Sequence, residues 1–129
     1  MLVNDINDEL FTEWSCSINN ENARAAFWYL VGLSACLRGY ECRIQWKGKV
    51  RDFRFYDSSG EQPFSFITND EWLLFYFRPP AIRSGRFSEE ELAEVFESFD
   101  QSTAGEWTVK IYSVSDADRL ADLLVWLAR

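Results

Sequence analysis

A chain of 129 residues with 47% apolar and 17% aromatic content is suited to one domain over a core of large rings, which excludes a disordered linker. Folding at this length hides roughly two-thirds of the surface the unfolded chain exposes. The net charge is −8 and histidine is absent, so Ser-His-Asp and Cys-His catalysis and every histidine-containing zinc site are excluded, and three cysteines are too few for an all-cysteine site.

Charge is segregated along the chain. Residues 1–22 carry five acids and no base, residues 23–87 carry ten bases against six acids, and residues 88–129 carry ten acids against three bases. Residues 1–18 read as an acidic N-terminal appendage of a single domain spanning 1–129. There Leu10, Phe11 and Trp14 could form a short helix packed on the body, or could fold across a sheet. Asp5, Asp8 and Glu9 stand where a secretory signal would be basic and then apolar. Cys16, Cys36 and Cys42 are odd in number and lack CxxC spacing, so the chain reads as cytoplasmic, with reduced and largely buried thiols.

Asn19 or Asn20 is a good N-cap for a helix running to about Arg38 and stopped by Gly39. Its apolar run, Ala25 to Leu37, is shorter than the ~20 residues that span a bilayer, so it reads as a buried helix rather than a membrane anchor. It is apolar nearly all round and must be covered on more than one side, by the rest of the fold or by a partner or second copy.

Strands follow. Residues 40–46 alternate apolar and polar without a fault, Lys47-Gly48-Lys49 turns the chain, and Val50 to Asp57 returns with Phe53 and Phe55 on one face. Phe64 and Phe66 mark a third strand, Glu71 to Arg78 a fourth, and Pro79-Pro80 ends it. Ser88 and Glu91 form a capping box for a helix with Leu92, Val95, Phe96 and Phe99 on one stripe. Trp107 to Tyr112 is a fifth strand, and residues 115–118 cap a last helix with Ala117, Leu120, Ala121, Leu124 and Leu127 inward. The fold class expected is α+β: a mostly antiparallel five-stranded sheet in the order α-β-β-β-β-α-β-α, with helices mainly on one face.

Chemistry is sparse. Asp116 and Asp118 spell a DxD, but a first helical turn explains them. Gln45-x-Lys47 resembles the catalytic strand of restriction-type nucleases only in its lysine, because that pattern needs an acid where Gln45 stands. There is no Gly-rich phosphate loop. The chain therefore reads as no enzyme, with no cofactor and no metal.

The positive signal is basic and aromatic. Arg38, Arg43, Lys47, Lys49, Arg51 and Arg54 fall within seventeen residues whose only acids are Glu41 and Asp52. Strand alternation sends Arg43, Lys47, Arg54, Tyr56, Trp72 and Tyr76 to the face away from the helices. Such a face is either the ordinary wet side of an antiparallel sheet or a binding surface, since Trp, Tyr and Arg are enriched at interface hot spots. Glu90, Glu94 and Glu97 mark an acidic helix face, solvated or docked to a basic partner.

The reading expected is a small non-catalytic protein-binding module of the inhibitor, immunity, anti-defence or chaperone type, acting by occlusion of a protein partner. That partner could be basic or itself a nucleic-acid-binding protein. The alternative is single-stranded nucleic-acid binding on the basic aromatic face, with bases stacked on Tyr56, Trp72 and Tyr76; the net charge of −8 opposes it.

Overall fold

A computed structural model describes residues 8–47, 50–102 and 105–127; for residues 8–10, 45–47, 50, 51, 126 and 127 it describes the backbone alone. The fold is α+β, with an antiparallel sheet and helices gathered on one side of it. Two helices come first, α1 (Asp8–Ser17) and α2 (Glu21–Cys36). Four strands follow, β1 (Glu41–Lys47), β2 (Val50–Tyr56), β3 (Phe64–Thr68) and β4 (Leu73–Phe77). Two short helices, α3 (Pro79–Arg83) and α4 (Glu89–Val95), lead to β5 (Asp100–Gln101), β6 (Trp107–Ile111) and the closing helix α5 (Val114–Leu127). The strand order is β1-β2-β3-β4-β6-β5, every neighbour antiparallel.

Period-2 alternation builds the core. Phe53, Phe55, Phe66, Phe75 and Phe77 are fully buried on one face, together with Leu73, Val109 and Ile111. Register sets Ile44, Phe53, Phe66, Phe75 and Val109 in one row across five strands. Within it the Phe53 and Phe66 rings stack 4.8 Å apart. Phe11 and Trp14 of α1, Phe27 and Leu30 of α2, Ala81 of α3, Leu92 of α4 and Leu120 and Leu124 of α5 join the same cluster. Phe11 meets Phe53 edge-on, so residues 8–18 lie against the helix side rather than across the other face of the sheet.

Local chemistry sets the boundaries. The Asn20 side chain accepts hydrogen bonds from the Asn22 and Ala23 amides, and the Asn20 amide donates to the Asp70 carbonyl, which ties the start of α2 to the β3–β4 turn. Asn69 shapes that turn by accepting from the Glu71 and Trp72 amides. Past the end of α2, Gly39 takes a φ of 82°, the left-handed conformation that favours glycine.

The structure corrects the sequence reading in several places. The sheet has six strands, not five, because β5 adds a two-residue edge too short to leave a periodic signal. Pro79-Pro80 ends β4 but also opens α3, since a missing N–H costs nothing at the first helical positions. The element order is therefore α-α-β-β-β-β-α-α-β-β-α. α2 stops at Cys36, with Leu37 already extended as its C-cap. α4 stops at Val95, because Phe96 turns to extended backbone and drops into the core. Ser113 rather than Ser115 precedes α5: its hydroxyl accepts from the Asp116 amide, while Asp116 accepts from the Tyr112 amide. Cys16 and Cys36 are exposed and only Cys42 is buried.

The core makes a quantitative prediction. Phe66→Ala should cost about 3–5 kcal/mol and Asn20→Ala about 1 kcal/mol in urea unfolding. A Phe66→Ala cost below that of Asn20→Ala would contradict this assignment of the core.

Candidate functional site: the open face of the sheet

The face opposite the helices is half-exposed. Register aligns Arg43, Arg54, Ser65, Tyr76 and Thr108 in one row across it, and Asp52, Ile67, Leu74 and Lys110 in the next. Arg43 and Arg54 are direct cross-strand neighbours, an arrangement that would repel if nothing answered the charge. Each has an acid two residues before it on the same face of its own strand. Arg43 Nη2 donates to Glu41 at 3.1 Å, and Arg54 Nε donates to Asp52. Arg54 also donates through Nη1 to the Gln62 amide oxygen, which accepts from Arg78 Nη1 as well, at 3.2 Å. Arg78 pairs in turn with Glu106 at 3.3 Å.

Aromatic rings take part in the same pairing. The Arg43 guanidinium lies over the Tyr56 ring, 5.6 Å from its centroid. The Lys110 ammonium lies over the Trp72 ring at 4.5 Å, and Trp72 and Tyr112 pack at 5.9 Å. Trp72 stands just before β4 yet keeps the parity of Leu74 and Tyr76, so it shares their face. Tyr76 sits amid the arginine–carboxylate pairs, and its hydroxyl titrates above the ordinary tyrosine range. Burial is the main cause, followed by the carboxylates of Glu106 and Asp52.

Of the sequence-predicted site residues, Arg43, Arg54, Tyr56, Trp72 and Tyr76 are brought together on this surface. Lys47 occupies the last position of β1, opposite Val50, and its side chain lies outside the described residues. Glu90 and Glu94 are exposed on α4. Glu97 is exposed but lies beyond the end of α4, so it does not share a helical face with them; seven residues do not reach it. Three basic residues of this face, Arg43, Arg54 and Arg78, each hold a carboxylate, while Lys110 lies over the Trp72 ring. Gln62, Arg78 and Glu106 were not singled out in the sequence. The spacings Glu41-x-Arg43 and Asp52-x-Arg54 were a usable signal for the pairing, because i and i+2 share a face of a strand.

Elsewhere the acids have structural tasks. Asp118 accepts from the Tyr29 hydroxyl at 2.7 Å, joining α5 to α2, and Asp116 caps α5. A cleft of about 910 Å³ lies between the end of α2 and the start of β1, lined by Cys36, Arg38, Tyr40, Glu41 and Tyr56 among others. No protein-family model, curated protein or solved structure matches this chain.

Burial pushes the Cys42 thiol up to about 12. Its contribution to stability is complete below the ordinary value of 9.0 and is lost as pH rises toward 12, because the unfolded chain gives up the proton first. Iodoacetamide should therefore modify Cys16 and Cys36 in the folded protein and reach Cys42 only after unfolding, as peptide mass mapping would show. Equal labelling of all three in the native state would contradict the burial.

Proposed function

We propose that this protein is a small, non-catalytic, cytoplasmic binding module that occludes a protein partner with the open face of its sheet, in the manner of an inhibitor, immunity, anti-defence or chaperone-type protein. The observation that carries this reading is the internal pairing of the face. Arg43, Arg54 and Arg78 are held by Glu41, Asp52 and Glu106, and Tyr56 and Trp72 lie under cations of the same chain. Arginines already engaged with carboxylates offer little net charge to a phosphate backbone, whose binding rests on free cations and counterion release. The same pairing fixes the side chains in place, which lowers the ordering cost of binding another protein. Half-buried Ile67, Leu74 and Tyr76 supply apolar area at the centre, with polar pairs around them. The net charge of −8 favours approach by a basic partner. No helix among the described residues is long and apolar enough to cross a membrane, which fits a partner met in solution.

Affinity capture from the native host at moderate salt should recover a stoichiometric protein. Trp72→Ala and Tyr76→Ala should each weaken its binding by about tenfold or more, the size expected of interface hot spots. Fluorescence anisotropy with single-stranded DNA and RNA oligomers should show no binding at low salt. Salt-sensitive oligomer binding lost in the same two variants would replace the protein partner with nucleic acid.

A further inference from the structure

β1 is the long edge of the sheet. Among the described residues its inner side pairs with β2 at seven successive positions and no strand lies on its outer side. Exposed edges are commonly blunted by brevity, a proline, a bulge or an inward-pointing charge. The opposite edge, β5, is blunted by brevity, at two residues. β1 carries charges at Glu41, Arg43 and Lys47, themselves a common edge device, but shows none of these four. Its register is unbroken, it contains no proline, and its helix-side positions are Cys42, Ile44 and Trp46.

The apolar row across the sheet is also incomplete at this edge. Phe53, Phe66, Phe75 and Val109 are all 0% exposed, whereas Ile44, next in the row, is only partly buried. The edge leaves apolar surface that one more strand would cover.

The sequence of β1 is complementary to itself. Turned antiparallel about Ile44, it sets Glu41 across from Lys47, Cys42 across from Trp46, Arg43 across from Gln45, and Ile44 across from itself. Opposite charges meet at both ends and no like charges meet. A two-residue slip one way sets Arg43 against Lys47, and the other way sets Arg43 against Arg43. A one-residue slip mixes the apolar and polar faces. One register of self-pairing is favoured over its neighbours.

We propose that the chain forms a two-fold homodimer by antiparallel pairing of β1 with β1 of a second copy, which doubles the six-stranded sheet and joins the two open faces into one surface. The second copy brings its Lys47 to the Glu41 end of β1, beside the cleft formed with the end of α2. This dimer goes beyond the binding role proposed above, and either can fail without the other.

Sedimentation or light scattering at physiological ionic strength, where screening over about 8 Å limits repulsion between the two acidic copies, should show the mass rising from 15.1 kDa toward twice that value with concentration. Glu41→Lys and Lys47→Glu each set like charges against each other in two places and should weaken association by about tenfold or more, with unchanged circular dichroism. Mixing the two variants in equal amounts should restore association as a heterodimer, because every such pair is then of opposite sign. A protein monomeric at every concentration overturns the proposal. So does a dimer indifferent to both single changes, or a mixture that associates no better than its components.

Discussion

Everything in this fold depends on one face of the sheet being aromatic and dry. Phenylalanines at every second position of β2, β3 and β4 place their rings on the same side, where they stack and meet edge to face. Phe53 packs on Phe66, Phe55 on Phe75, and Phe64 on Phe77 and Phe87. Because the side-chain period of a strand is two, a one-residue slip would move these rings to the other face, so burial fixes the register. The five helices among the described residues all contribute to the cluster on that side. The other side is thereby left with the polar half of each strand.

That polar half is self-paired. Arg43 and Arg54 stand side by side because register demands it, and each is answered by an acid two residues earlier on its own strand. Gln62 links Arg54 to Arg78, and Glu106 closes the chain of contacts. These pairs are partly solvated, and exposed ion pairs add little stability. They hold rings and guanidinium groups in place and cancel the local positive charge that the chain's basic middle would otherwise present.

Alternation made the division of the sheet into two faces legible in the sequence, down to Phe53, Phe55, Phe64, Phe66, Phe75 and Phe77 inward and Arg43, Arg54, Tyr56 and Tyr76 outward. The cap at Asn20, one of the two asparagines expected there, was legible because it meets a local geometric demand, whereas α2 ends at Cys36, short of Gly39. Three features were not legible. β5 is too short to carry a period, and Pro79-Pro80 marks the end of a strand and the start of a helix equally well. The loss of Glu97 from α4 was set by Phe96, whose burial in the core ended the helix early. The pairing of the arginines on the open face was missed for a different reason. Counting bases along the chain registers Glu41 and Asp52 as a minority, whereas strand geometry places each beside the arginine it neutralises.

The central claim is that the open face, and not the helix layer, is the surface a partner covers. Hydroxyl-radical footprinting of the free protein and of its complex tests this most directly, because both surfaces carry oxidisable rings. Tyr56, Trp72, Tyr76 and Tyr112 mark the open face, and Trp28 of α2, 43% exposed, marks the helix layer. The account predicts that oxidation of the first four falls in the complex while that of Trp28 is unchanged. Protection of Trp28, with the open-face rings as reactive as before, would contradict it.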